Sequence, residues 1–135
     1  MAIITWDSSL SVNVEEVDRQ HKKLVDLINE LHDAMRVGKA KEVMGKVIKE
    51  LVDYTVQHFS LEEKKMQEFQ YENYPSHKIE HDQFVAKAAG LQKDFAAGKV
   101  TITLDTMTFL KDWLTKHIMG TDKKYVACFH ENGFK

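Results

Sequence analysis

Apolar residues recur along this chain at helical spacing, and histidines occupy several of the same positions. In the first such segment Val17, His21 and Leu24 lie four and three residues apart, and the pattern continues to Met35. This spacing predicts the buried face of an amphipathic helix, and three further segments repeat it. The four stripes contain five histidines and one glutamate, namely His21, His58, Glu62, His77, His81 and His117.

Four amphipathic segments joined by short connections predict an all-α fold, an antiparallel up-down-up-down four-helix bundle. The second helix is expected to run from about Ala40 to Phe69, and Pro75 suits the first turn of the third helix. Gly38 and Gly98 follow the first and third segments, where a glycine commonly ends a helix.

The length of 135 residues is typical of one domain, so we expect the whole chain to form a single unit. Residues 16–122 are expected to form the bundle, with residues 100–103 as the linker before the fourth helix. An N-terminal arm, residues 1–15, lacks helical periodicity and is expected to cross the outside of the bundle with Trp6 as its anchor. The tail, residues 123–135, is expected to form a short C-terminal helix.

Composition excludes several classes of function. The net charge is −2 with no concentrated basic segment, which argues against binding to nucleic acid. No stretch approaches the run of about 20 apolar residues that a membrane span needs, and the N-terminus does not resemble a signal peptide. Cys128 is the single cysteine, so an internal disulfide is impossible. We therefore expect a cytoplasmic protein that acts as a monomer and does not insert into a membrane.

The spacing of the histidines decides which side chains can meet. His58 and Glu62 are four residues apart, as are His77 and His81, so each pair shares one face of its helix. The first and fourth helices each direct one histidine inward. Several imidazoles around a carboxylate in an apolar core need a shared partner, and a metal ion is the natural one.

Asp122 is a further candidate ligand, although its position does not fit a regular helix. It follows His117 by five residues, which in an α-helix places it roughly 140° away from that histidine. A π-bulge or a break near Gly120 would return Asp122 to the same side, and such bulges often mark functional sites. We therefore predict that the fourth helix is deformed between these two residues.

The number of candidate ligands indicates more than one metal ion. Five histidines and two carboxylates are too many for one tetrahedral zinc site. Two octahedral ions, bridged by both carboxylates and by one oxygen, would use all of them and leave one coordination position open. Imidazole and carboxylate without thiolate favour iron. The open position predicts that the site binds a small exogenous ligand.

The arrangement of these motifs resembles the hemerythrin family. The matching segments are Gln20-His21, His58-Phe59-x-x-Glu62-Glu63, His77-x-x-x-His81-Asp82-x-Phe84 and His117-Ile118-x-x-x-Asp122-x-x-Tyr125. They span His21 to Tyr125 and include every candidate ligand, and the length and the Trp6 region fit too, so the resemblance covers essentially the whole chain.

The resemblance implies a non-haem di-iron centre, bridged by an oxo or hydroxo group, that binds O₂ reversibly. It assigns the ligands as follows: His77, His81 and His117 to one iron, His21 and His58 to the iron with the open position, and Glu62 and Asp122 as bridges between both.

Apolar residues near the fourth-helix histidine are candidates for an O₂ pocket. Leu114 and Ile118 lie four residues apart, and Trp113 lies one turn before His117. Together with Phe59 they would form a dry lid over the open position, or they would simply pack the core. A dry pocket matters because water or a proton that reaches bound O₂ promotes oxidation of the iron.

Other polar residues near the stripes are assigned no ligand role. His32 lies beside the first stripe and His130 in the tail, and both are expected to be ordinary surface or packing residues. Glu63 is out of phase with the second stripe and is expected to be exposed. Gln20 and Tyr125 are candidates to support the ligands by hydrogen bonds.

Reversible O₂ carriage, storage or delivery without enzymatic activity is the favoured function. An O₂-consuming enzyme would be the expected recipient. Two alternatives are a sensor of O₂, redox state or NO, and a di-iron oxidase or peroxidase. Ferritin-like oxidases use Glu-x-x-His pairs, and no histidine of this chain follows a glutamate by three residues.

Overall fold

The computed structural model describes residues 3–38, 41–98 and 104–135. Its helices are α1 (Glu15–Arg36), α2 (Lys41–Glu68), α3 (Tyr74–Ala96), α4 (Leu104–Lys116) and the short α5 (Val126–Glu131). Two 3-10 turns cover Ser8–Leu10 and Asp122–Tyr125, and a π-helical segment covers His117–Thr121. The described residues contain no strand, and the predicted all-α four-helix bundle is confirmed.

The predicted stripes supply the core of the bundle. Helix α1 packs against α2 and α4, and α2 packs against α3, so that the apolar faces meet along one axis. The α4 stripe shows this most completely, because Met107, Leu110 and Leu114 are all buried. Met35 and Leu91, also predicted stripe residues, are half-buried. Histidine is thus the main polar residue type among the buried residues of these stripes.

The helix ends agree with the turn residues in the sequence. Gly38 and Gly98 follow α1 and α3 with φ values of 66° and 73°, a left-handed conformation that glycine adopts without strain. Pro75 lies in the first turn of α3, as predicted. The expected start of the second helix at Ala40 and the linker at residues 100–103 lie outside the described residues.

The N-terminal arm packs against the core through Trp6 and through buried aliphatic side chains. Trp6 is half-buried, with the Lys22 ammonium 5.3 Å from its ring centroid. The amide of Asn29 on α1 accepts hydrogen bonds of 3.0 Å from the Ile3 and Ile4 N–H groups and donates one of 2.9 Å to the Ile4 carbonyl. The aliphatic residues of the arm that are buried in the core are Ile4, Leu10, Val12 and Val14.

None of the helices in the described ranges combines the length with the apolar character that crossing a membrane requires.

Candidate metal centre

The predicted donor side chains meet in the middle of the bundle and form two overlapping sets. The three-histidine set consists of His77, His81 and His117 with Glu62 and Asp122. The two-histidine set consists of His21 and His58 with the same two carboxylates. Within each set the potential ligand atoms lie within 4.8 Å of one another, and every member is at most 3% exposed.

Asp122 lies between the two sets and turns one oxygen towards each. Its Oδ1 is 2.9 Å from His77 Nε2 and 3.0 Å from His117 Nε2, both in the three-histidine set. Its Oδ2 is 3.2 Å from His21 Nε2 in the two-histidine set. A carboxylate in this position can bridge two cations.

Glu62 also lies between the sets, and its Oε2 is 3.8 Å from His21 Nε2 in the two-histidine set. Its Oε1 is 3.3 Å from His58 Nε2 and 3.3 Å from His81 Nε2. Its Oε2 accepts a hydrogen bond from the buried hydroxyl of Tyr125, which the sequence proposed as a supporting residue. Burial and the neighbouring carboxylate of Glu62 raise the pKa of Tyr125 well above its usual range, so the hydroxyl keeps its proton and donates it.

A π-helical segment brings Asp122 into this cluster, as the sequence predicted. Residues His117–Thr121 adopt π-helical geometry, and the Asp122 N–H donates to the carbonyl of His117, five residues earlier. The wider turn places both side chains on the same side of the helix. Gly120 is exposed within this segment, and an added Cβ there would meet no other atom of the described residues within 4 Å.

Two histidines on α2 and α3 are oriented by polar side chains of the preceding helix. His58 Nδ1 donates to Gln20 Oε1 over 2.7 Å, the supporting contact expected for Gln20. His81 Nδ1 donates to Glu63 Oε2 over 2.9 Å. The expectation that Glu63 is exposed is wrong, because its side chain is only 19% exposed and lies at the contact between α2 and α3.

Glu80 on α3 is a functional residue that the sequence reasoning missed. Its Oε1 accepts a hydrogen bond of 2.9 Å from His117 Nδ1 and another of 2.9 Å from the Thr121 hydroxyl. Because Thr121 ends the π-helical segment, Glu80 fixes both the imidazole and the backbone that carries it. The available signal was its position next to a predicted ligand, since Gln20, Glu63 and Glu80 each adjoin one in sequence.

These three contacts follow one pattern around the bundle. Each acceptor adjoins a candidate ligand on its own helix and binds the imidazole of the next helix in chain order. A carboxylate or amide oxygen can only accept, so each imidazole carries a proton on Nδ1, and Nε2 is the nitrogen that faces the centre and is available to a metal.

The donor atoms at the centre fit a bound cation. Several of them are buried and have no hydrogen-bond partner in the described part of the chain, although they lie close together. They are the Nε2 atoms of His21, His58 and His77, Oε1 of Glu62 and both oxygens of Asp122. Buried polar atoms without partners are costly, and metal ions held by the two donor sets would satisfy all of them. Nitrogen and oxygen donors without thiolate suit iron.

The electrostatics of the centre agree with this fit. Burial alone would raise the pKa of Asp122, but His117 and the other surrounding imidazoles hold it well below its usual range. Burial would likewise lower the pKa of His117, yet Asp122, Glu62 and Glu80 raise it to about 9. The carboxylates therefore attract positive charge, which either a proton on an imidazole or a metal cation can supply.

Aromatic rings cover the three-histidine side of the centre. Phe59 stacks on His81 with ring centroids 3.7 Å apart, and Trp113 stacks on His117 with centroids 4.4 Å apart. Phe59 also lies 5.9 Å from the ring of His58 in the two-histidine set. These two pocket candidates therefore contact candidate ligands directly.

The other two pocket candidates, Leu114 and Ile118, are buried one turn apart near the end of α4, with exposures of 3% and 0%. Their side chains belong to the same apolar cluster as Phe59.

The remaining histidines lie outside both donor sets. The side chain of His32 is 12% exposed, and its Nδ1 lies 4.0 Å from Asp33 Oδ1. His130 donates from Nε2 to the carbonyl of Asn13 over 2.7 Å, which ties α5 to the N-terminal arm. Both are packing residues, as expected.

Known proteins share this architecture over nearly the whole chain. The family model for the hemerythrin HHE cation binding domain matches residues 12–129. A bacteriohemerythrin of Methylococcus capsulatus is 43% identical over 129 residues, which cover 95% of this chain and 98% of that protein. A hemerythrin-like protein of Naegleria gruberi is 40% identical over 120 residues, which cover 89% of this chain and 88% of that protein. A crystal structure of wild-type hemerythrin superposes with a TM-score of 0.90 at 41% identity, over 94% of this chain and 98% of that one. The donor sets, the fold and these relatives together show that the chain belongs to the hemerythrin family.

Proposed function

We propose that this protein binds O₂ reversibly at a pair of non-haem iron ions, with an oxo or hydroxo bridge, in the core of the bundle. The observation that carries the proposal is the pair of buried donor sets that share two carboxylates. In this proposal His77, His81 and His117 hold one ion and His21 and His58 hold the other. The shared carboxylates would hold both ions, and the two-histidine set, which offers fewer ligand groups, would leave room for O₂.

The chain's own residues would hold, orient and shield the metal pair. When bound, two iron ions supply the electrons and the coordination position that reversible O₂ binding requires. Gln20, Glu63 and Glu80 fix the ring orientation of three imidazoles by hydrogen bonds. Tyr125 does the same for the Glu62 carboxylate.

The apolar residues around the centre would exclude water from bound O₂. Phe59, Leu114 and Ile118 are at most 4% exposed, and Trp113 covers the imidazole of His117. Exclusion of water limits the proton supply at the site and so slows irreversible oxidation of the iron. We propose that these four residues form the O₂ pocket.

A carrier fits this donor set better than a di-iron enzyme does. The centre contains five neutral donors and two anionic ones, and a centre poor in anionic ligands stabilises highly oxidised iron less well. We therefore propose that the protein is not an enzyme. A sensor of O₂, redox state or NO would use the same binding site and differs in needing an output partner.

Absorption spectroscopy through a cycle of oxygenation tests the proposed function. The iron-loaded protein is reduced without air, exposed to air and then evacuated. We expect a visible charge-transfer band that appears in air and disappears on evacuation over several cycles. Rapid conversion to the ferric form with release of peroxide would instead favour an enzyme or a sensor, and a content of one zinc per chain would contradict the di-iron site.

Enlarging the pocket should speed oxidation of the iron. We expect Leu114→Ala and Ile118→Ala each to raise the autoxidation rate severalfold, because the lost side chain lets water approach the centre. The decay of the oxygenated spectrum measures this rate. Leu31→Ala is the matched control. It also shortens a buried leucine, but on α1 and ten residues after the candidate ligand His21. Unchanged autoxidation in both pocket variants would argue against a shielding role.

Three expectations from the sequence stay predictions. They are that the protein acts as a monomer, that it works in the cytoplasm and that an O₂-consuming enzyme receives its O₂.

A further inference from the structure

The two donor sets differ in the charge of the groups that support them. In the three-histidine set, two imidazoles donate their Nδ1 protons to carboxylates. His81 donates to Glu63 and His117 to Glu80, each over 2.9 Å. Both acceptors are ionisable side chains at the edge of the core, with side-chain exposures of 19% for Glu63 and 41% for Glu80.

The two-histidine set has no such anionic support. His58 donates to the neutral amide oxygen of Gln20 over 2.7 Å. Within the described ranges the buried Nδ1 of His21 has no hydrogen-bond partner, and neither has that of His77 in the three-histidine set, so the difference lies in the carboxylates bound to His81 and His117. The charge difference is therefore built into the surroundings of the centre and is separate from the ligands themselves.

A carboxylate that accepts the Nδ1 proton makes an imidazole a stronger metal ligand. The hydrogen bond pulls positive charge towards the carboxylate and leaves more electron density on Nε2, which faces the metal. A neutral amide does this less. The three-histidine set also offers five ligand groups to a cation, against four in the two-histidine set. Both differences favour tighter binding of a cation by the three-histidine set.

We propose that the two metal positions fill in a fixed order, the three-histidine position first and more tightly, and that Glu63 and Glu80 are the positioning residues that set this order. Glu80 acts on two parts of the site, because it also holds Thr121 at the end of the π-helical segment. The inference rests on the two-ion centre proposed above, but it concerns cation binding and does not depend on O₂.

Titration of the metal-free protein with Co²⁺ tests the order, because Co²⁺ reports its coordination by visible absorption and does not react with air as Fe²⁺ does. We expect two resolved steps, with the first dissociation constant at least about tenfold below the second. Glu63→Gln and Glu80→Gln keep an oxygen acceptor but remove its charge. Each should weaken the first step by roughly 10- to 100-fold. Glu50→Gln, an exposed change on α2, is the control that should alter neither step.

The reciprocal substitution separates this role from simple structural support. Gln20→Glu gives His58 a carboxylate partner, so it should tighten the second step by about tenfold and reduce the gap between the steps. A substitution that merely disturbed packing would weaken binding. Far-UV circular dichroism checks that all four variants retain the helical content of the parent. An unchanged or weakened second step in a folded Gln20→Glu protein would overturn the proposal.

Crystals grown with one equivalent of Co²⁺ identify the position that fills first. We expect one anomalous peak, among His77, His81 and His117. A peak beside His21 and His58, or two equal peaks, would overturn the order while leaving the two-ion centre intact. A protein that binds only one Co²⁺ at saturation would contradict the two-ion centre, and the order with it.

Discussion

Asp122→Asn should weaken metal binding by at least about 100-fold and leave less than two ions per chain after reconstitution with iron. Each oxygen of Asp122 faces a different donor set, at 2.9 and 3.0 Å on one side and 3.2 Å on the other. An amide of the same shape is neutral and has one oxygen, so it cannot offer an anionic oxygen to each donor set. Loss of a group that merely supports a ligand costs 10- to 100-fold, and loss of a shared ligand should cost more. Iron content and Co²⁺ titration measure the change.

The control for this substitution is Asp105→Asn. Asp105 is an exposed residue in the first turn of α4, so its replacement changes the same charge without reaching the centre. Full iron content in Asp122→Asn, with the iron spectrum of the parent, would exclude Asp122 as a bridging ligand.

Removal of the metal should lower the free energy of unfolding substantially. The donor side chains bury carboxylates and imidazoles that only a folded chain brings together, so a cation binds the folded state and not the unfolded one. At a free Co²⁺ concentration about 1,000 times the dissociation constant, this linkage contributes about 4 kcal/mol. In a domain of this size, the metal-bound protein should therefore unfold roughly 10 °C or more above the metal-free protein. Thermal unfolding with and without a chelator measures the difference.

The same measurement on Asp122→Asn provides the internal test. If the stabilisation comes from the proposed centre, that variant should lose most of the metal-dependent increase in unfolding temperature. An equal increase in parent and variant would mean that the cation stabilises the protein elsewhere.

The fold and the meeting of the donor residues followed from periodicity in the sequence. Helical spacing determines which side chains share a face, so residues such as His21 and Leu24 could be assigned to the core before any tertiary contact was known. The π-helical segment was predictable for the same reason. The separation of five positions from His117 to Asp122 conflicts with an α-helix, and only a local change of helix type lets both reach one centre.

The hydrogen bonds between helices could not be predicted from periodicity. Glu63 and Glu80 lie off the stripes, and periodicity predicts that such positions face solvent. They bind imidazoles only because the neighbouring helix brings one within reach of a long side chain. Sequence spacing along one helix carries no information about the rotation of the next.

The chain-order pattern of supporting contacts bears on how such a centre could be moved to another protein. The acceptors Gln20, Glu63 and Glu80 each serve an imidazole of the following helix, so no single helix carries both a ligand and its support. Grafting the ligands alone onto a designed bundle would give donors in the right places but with free ring rotation. Transferring two adjacent helices together would keep each imidazole with the side chain that accepts its Nδ1 proton. Among relatives, positions 20 and 58, 63 and 81, and 80 and 117 should therefore change together.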